Sequence, residues 1–186
     1  MLVALSLTVS ACEDSTLGHF DIDEPIPATR IEGSTLPALL PAVLPPITLD
    51  VKSSESFQQQ EYDYLTSVQL DALSLSITES STDNSVDGSE DGMADNFDFL
   101  ASVEIYIQAT FDGQLQRALI GSIDDTDPQL MASTPAISFV MTGVDILRYV
   151  EAVAGYEIEI QASGETPPDA VIFDGEARYR VGVGFN

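Results

Sequence analysis

The sequence predicts an all-β protein: an antiparallel β-sandwich with one short helix. Several segments alternate apolar and polar residues with a period of two, which is the pattern of strands that bury one face. Turn signals rich in Asp, Gly, Ser and Pro separate these segments, and only one segment has helical spacing. The 186 residues are 44% hydrophobic, which is enough to form a real core.

The first predicted strands follow Pro46. Residues 47–51 alternate, and so do residues 67–70 and 73–78. The last two runs are out of phase by one residue, so the Asp71-Ala72 step between them predicts a bulge or kink.

The clearest alternation covers residues 103–111, where Val103, Ile105 and Ile107 share a face with Ala109 and Phe111. Asp112-Gly113 is a strong tight-turn signal, and residues 115–123 follow it as the expected hairpin partner.

Further strands are predicted at residues 136–142, 156–162, 170–173 and 176–185, and a helix at residues 144–153 with a stop at Gly155. About eight short strands with turns between them favour an immunoglobulin-like or jelly-roll-like sandwich. A small β-barrel is the alternative, because the pattern alone does not count sheets.

The N-terminus carries a short apolar run that ends at Cys12, the only cysteine of the chain. Val9-Ser10-Ala11-Cys12 reads hydrophobic, small, small, cysteine. This pattern resembles the lipobox at the end of a bacterial lipoprotein signal peptide. The resemblance implies that diacylglycerol is attached to the Cys12 sulfur, that the chain is cleaved before Cys12, and that acyl chains anchor the product to a membrane.

Prolines at six positions interrupt the segment between Cys12 and Pro46, and no sustained period is visible there. Proline resists helix and cannot donate to a strand ladder, so this segment is predicted to be a tether. The predicted organisation is therefore a signal peptide at 1–11, a Pro-rich tether at 12–46 and a β-sandwich domain at 47–186. The apolar second half of the tether, residues 36–46, is expected to lie against the domain, form an edge strand, or contact a partner or membrane.

The chain is strongly acidic, with 31 Asp and Glu against 6 Lys and Arg and a formal net charge of -25. Phosphate binding needs clustered basic side chains, so nucleic acid is excluded as a partner. Electrostatic adhesion to anionic lipid is disfavoured for the same reason. The remaining roles for this charge are binding of cations or basic proteins, or solubility.

An acidic loop is predicted at residues 79–98, where oxygen donors alternate with glycines. Asp83, Asp87, Asp91 and Asp95 recur every four residues and form a candidate calcium site, because calcium takes six to eight oxygen ligands. The match to an EF-hand loop is partial, since its twelfth position is Ala94 and no helix flanks it. A solvated, flexible connection between strands is the alternative.

Catalytic motifs are missing from the sequence. His19 is the only histidine and falls in the predicted tether, and no nucleophile elbow, phosphate loop or Cys/His metal spacing occurs. The Phe57-Gln-Gln-Gln-Glu-Tyr62-Asp-Tyr64 stretch could offer aromatic rings to a sugar or a partner, although such residues are more often half-buried at a sheet edge.

The sequence therefore predicts a lipid-anchored protein of the cell envelope, at the outer membrane or cell surface, that is not an enzyme. It would act as a non-catalytic binding or structural module with an envelope protein or glycan as partner and without a cofactor other than calcium. One alternative is a calcium-dependent adhesion or carbohydrate-binding module. The other is a small hydrolase that uses an Asp/Glu pair.

Overall fold

The computed structural model describes residues 16–33, 52, 55–78, 96–124, 126–127, 129, 135–167 and 170–185. Within these residues the chain forms eight strands and two helices of four residues each. In chain order they are β1 (Thr16–Ile31), α1 (Glu55–Gln58), β2 (Tyr64–Ile77), β3 (Leu100–Phe111), β4 (Gln114–Asp124), β5 (Ala136–Ser138), β6 (Val140–Met141), α2 (Leu147–Val150), β7 (Tyr156–Gly164) and β8 (Val171–Phe185).

The strands form two antiparallel four-stranded sheets that pack face to face. Sheet one has the order β1-β8-β2-β5, and sheet two has the order β6-β4-β3-β7. The predicted sandwich is confirmed, and across the described ranges the strands separate into two sheets rather than closing into the alternative barrel.

The core lies between the two sheets and follows the predicted alternation. On β3, Val103, Ile105 and Ile107 are at most 1% exposed, and on β8 Ala177 and Val181 are fully buried. Each of these Val and Ile side chains contributes roughly 1.5–3 kcal/mol by leaving water, so these two central strands supply much of the core.

The tether prediction is wrong for residues 16–31, because they form strand β1. This strand pairs with β8 from Thr16↔Phe185 to Ile31↔Val171 and buries Ile22 and Ile26. It is an edge strand, a place where prolines are tolerated, and Pro27 falls at the register shift between Ile26 and Thr29. The sandwich therefore begins at Thr16, whereas the predicted boundary was residue 47.

Several other predicted elements occur with altered bounds. The bulge at Asp71 is confirmed, since the register of β2 against β8 shifts between Leu70 and Ala72. The single strand predicted at 136–142 divides at Phe139 into β5 and β6, which belong to different sheets. The strands predicted at 170–173 and 176–185 are one strand, β8.

The predicted helix at 144–153 is only one turn long, α2. Residues before it are held by the edge of β2: Ile146 N donates to Val68 O at 2.7 Å, and Asp145 Oδ1 accepts from Val68 N at 3.0 Å. These bonds take the place of a neighbouring strand, because β5 pairs with β2 only at Ser74–Ser76. Residues 34–51, which include the predicted strand at 47–51, lie outside the described residues.

The sandwich has two distinct ends. The hairpin end contains Thr16, Tyr64, Phe185 and the turn between β3 and β4, and the ring of Phe111 from this turn contacts Tyr149 of α2. Asp112 and Gly113 have φ values of 51° and 75°, as a tight hairpin turn requires. The loop end contains Ile31, Ile77, Val171 and Leu100, and Phe97 and Phe173 join the sheets there with ring centroids 6.2 Å apart.

Candidate functional site

The residues predicted to carry the lipid anchor and the calcium site lie outside the described residues. This holds for Cys12 and for Asp83, Asp87, Asp91 and Asp95. The described residues nearest to them are Thr16, at the hairpin end, and Thr78 and Asn96, which adjoin β2 and β3 at the loop end. In the part of the chain that the structure describes, no group of three or more His, Cys, Asp and Glu side chains could hold a metal ion.

A groove of about 1080 Å³ opens at the hairpin end. It combines residues from the segment before β2 with the end of β8 and the residue after α2. Its lining consists of Lys52, Phe57, Gln58, Gln60, Glu61, Tyr62, Asp63, Tyr64, Leu65, Glu151 and Phe185.

Sheet pairing fixes the aromatic wall of this groove. Tyr64 pairs with Gly184, and a Cβ at Gly184 would collide with the Tyr64 ring. The glycine therefore allows the ring to lie across β8, where Tyr64 remains 38% exposed beside Phe185.

The other aromatic residues of the predicted sugar-stacking stretch are less accessible. Phe57 is buried and lies 6.3 Å from Phe20 and 5.7 Å from Tyr62 between ring centroids, so it fixes α1 to β1. Tyr62 is half-buried. Tyr64 is thus the member of the stretch that offers an exposed ring.

Carboxylates outnumber cations in the lining of the groove, which includes Glu61, Asp63 and Glu151 on one hand and Lys52 on the other. A smaller cavity of about 500 Å³ lies where β5 meets β6 and is lined by Asp71, Glu176 and Arg178 together with apolar side chains. The histidine of the chain, His19, is exposed on β1 and lines neither cavity. The chemistry that these two cavities offer is ionic and apolar contact together with hydrogen bonding, because amide and hydroxyl side chains also line them.

Ion pairs cross the outer face of sheet one and were not foreseen from the sequence. Arg180 on β8 lies 3.6 Å from Asp21 on β1 and 3.1 Å from Asp71 at the β2 bulge, and Arg178 donates to Asp23 at 2.6 Å. Hydrogen bonding and the negative charge of Asp23 raise the pKa of Arg178 above its usual value. The missed signal is the alternation Phe20-Asp-Ile22-Asp, which marks a strand in the segment assigned as tether.

A second polar cluster occupies the outer face of sheet two. The Arg117 guanidinium lies 3.4 Å above the centre of the Tyr106 ring and 3.4 Å from Glu159. Tyr106 donates to Glu104 at 3.1 Å. Desolvation, followed by the hydrogen bond to Glu104 and its negative charge, raises the pKa of Tyr106 above its usual value, although the Arg117 charge lowers it.

Comparisons with known proteins do not assign the chain to a family. No family model matches the chain, and no curated protein matches its sequence. A solved structure from turnip yellow mosaic virus is similar over 100% of this chain and 90% of that chain, with 9% identity and a TM-score of 0.32. This similarity is too low to carry an argument about the chain.

No helix among the described residues has the length and apolar character needed to cross a bilayer.

Proposed function

We propose that the protein is a lipoprotein of the cell envelope, anchored at Cys12 and acting as a non-catalytic binding or structural module at the outer membrane or cell surface. The observation that carries this proposal is the Val9-Ser10-Ala11-Cys12 sequence. Two or three acyl chains on that cysteine would anchor the protein durably, because each buried methylene contributes about 0.8 kcal/mol.

The position of β1 changes the geometry of the proposed anchor. Only residues 13–15 separate Cys12 from the first strand, so the anchor is followed almost directly by the sandwich and not by a long tether. A partner of the proposed module would then be bound close to the membrane, at a distance set by the sandwich itself.

Intact mass spectrometry of the full-length chain expressed in a bacterium tests the proposal. The expected membrane-associated product has the mass of residues 12–186 plus acyl chains, and a Cys12→Ala variant is expected to lose both the acyl mass and the membrane association. An unmodified wild-type product in the cytosol would contradict it.

The second candidate function is a calcium-dependent adhesion or carbohydrate-binding module. The position of the two described residues that flank the predicted acidic loop favours this candidate. Thr78 and Asn96 lie at the loop end, opposite to Thr16. Strand β2 has 14 residues, so the loop would extend from a point roughly 45 Å from the anchored end.

Calcium titration of the full-length chain tests this second candidate. Binding is expected to raise the melting temperature at millimolar calcium, and Asp87→Asn combined with Asp91→Asn is expected to remove the effect because two oxygen ligands lose their charge. A glycan array with and without chelator then tests for a sugar partner. Absence of both a melting shift and heat of binding in the wild type would exclude the calcium site.

A further inference from the structure

Exposed apolar side chains collect at the hairpin end. Leu17 is 68% exposed and Tyr64 is 38% exposed, and both pair with Gly184 near the end of β8. Phe185, the next residue of β8, pairs with Thr16 and is also 38% exposed. Leu115, which is 65% exposed beside the β3–β4 turn of the other sheet, and Val153, which is fully exposed after α2, lie at the same end of the sandwich. Val153 belongs to this end because Glu151 lines the groove together with Tyr64 and Phe185.

The same end carries the chain toward Cys12. Four Cα steps separate Cys12 from Thr16, so even a fully extended backbone keeps the two within about 14 Å. An acylated Cys12 at the membrane surface would therefore hold the exposed apolar residues of the hairpin end close to the lipid headgroups. Tyrosine suits this boundary, because it has an apolar ring and a polar hydroxyl.

The charge distribution selects both the orientation and the kind of lipid. The sequence has seven acidic residues between positions 79 and 98, and the described residues that flank most of this segment, Thr78 and Asn96, lie at the loop end, which faces away from a membrane under the hairpin end. Glu61, Asp63 and Glu151 border the groove at the membrane-facing end. These carboxylates repel anionic lipid, so a zwitterionic surface, which has no net charge, is the lipid surface that this end tolerates.

We infer that the hairpin end of the sandwich is a membrane-docking surface for zwitterionic lipid, with Leu17, Tyr64 and Phe185 in contact with the interface. This inference rests on the proposed anchoring at Cys12. Docking would hold the long axis of the sandwich upright and present the loop end to the surroundings.

A tethering experiment tests docking separately from cellular lipidation. Because Cys12 is the only cysteine, the full chain can be coupled to a maleimide lipid in phosphatidylethanolamine/phosphatidylcholine vesicles that contain brominated acyl chains. The chain has no tryptophan, so Val153→Trp places one probe at the hairpin end. Val140→Trp is the matched control, since Val140 is 63% exposed and pairs with Ser122, near the other end of β4.

Docking predicts several-fold stronger quenching of the tryptophan at 153 than at 140. Replacing Leu17 and Tyr64 by Ser in the Val153→Trp chain is expected to reduce this quenching to the control level, and circular dichroism checks that the variant is folded. Residues 1–11 are present in every chain tested, so their effect cancels in the comparison.

Equal quenching at the two positions would overturn the inference, and so would concentration-dependent dimer formation that shields position 153 in the absence of vesicles. The maleimide lipid replaces natural acylation. A negative result therefore counts against docking alone, whereas an unacylated product in the mass measurement counts against the proposed function.

Discussion

Three of the five arginines of this acidic chain, Arg117, Arg178 and Arg180, lie where they relieve repulsion between strands. Arg180 is flanked by Asp21 and Asp71, which would otherwise face each other across β8 without a counter-charge. Arg117 likewise lies between Tyr106 and Glu159 on neighbouring strands. These pairs are about half exposed or less, so each contributes at most about 1 kcal/mol, but together they keep acidic outer faces compatible with a regular ladder.

The raised pKa of Tyr106 predicts how the stability of the fold depends on pH. Its pKa is raised above 10.0 by desolvation and by Glu104, although Arg117 lowers it. The folded protein therefore holds this proton more tightly than the unfolded chain, so its contribution to stability is complete below pH 10.0 and is lost as the pH rises through the higher folded-state pKa.

A tyrosinate absorbance titration checks this. Tyr106→Phe is expected to remove one transition above pH 10.0 from the curve and to reduce the loss of melting temperature above that pH. Tyr64→Phe is the control, since it changes an exposed tyrosine elsewhere on the molecule. Identical losses of stability at high pH in Tyr106→Phe and wild type would contradict the assignment.

Among the strands, β1 is the one that the sequence analysis missed, because its residues were predicted to be part of a tether. Its two prolines hid an alternation that covers Phe20, Ile22 and Ile26, because proline is usually read as a break. An edge strand forms backbone hydrogen bonds with a neighbouring strand on one side only. The pairing of β1 with β8 shows that a segment with prolines can still form such a strand. The β3–β4 hairpin was predictable because both of its signals, alternation and the Asp-Gly turn, are local.

The contribution of β1 can be measured by substitution. Ile22→Ala is expected to lower the free energy of unfolding by about 3 kcal/mol, because Ile22 is 1% exposed and its loss leaves a cavity in the core. Leu17→Ala on the same strand is expected to change it by less than about 0.5 kcal/mol, since Leu17 is 68% exposed. Denaturant unfolding of the two variants measures this, and equally small effects would show that β1 does not pack as described.

The junction between α2 and β2 depends on the side chain of Asp145. Asp145 Oδ1 accepts hydrogen bonds from Val68 N and Leu147 N, both at 3.0 Å. Asp145→Ala is expected to cost about 2 kcal/mol in unfolding free energy, because Val68 is fully buried and its N–H loses its acceptor. Asp145→Asn keeps a carbonyl oxygen and is expected to cost less; an equal loss in both variants would mean that the negative charge, and not the hydrogen bond, is what matters.

For the whole molecule, the sequence predicted the architecture better than the site. Period-two alternation is a local property and fixes which face of a strand is buried, so the sandwich followed from it. The groove depends on the pairing of Tyr64 with Gly184 and on the position of Glu151 beside them. These residues are far apart in the chain, and their juxtaposition depends on sheet order and register, which composition and spacing do not encode.

The net charge of -25 predicts that salt stabilises the fold. Compact folding concentrates like charges, and at 0.1 M ionic strength charges farther apart than about 10 Å are largely screened. The exposed ion pairs weaken with salt, but the five ion pairs among the described residues involve four arginines, far too few to balance 31 acidic residues. Raising sodium chloride from low to physiological concentration is therefore expected to raise the melting temperature by roughly 3–6 °C, which corresponds to about 1–2 kcal/mol.

Magnesium and calcium chloride at matched ionic strength separate screening from binding, because screening affects both equally, whereas a calcium site would add a rise with calcium alone. A melting temperature that falls with sodium chloride would show that the arginine pairs on the sheet faces outweigh the repulsion among the acids.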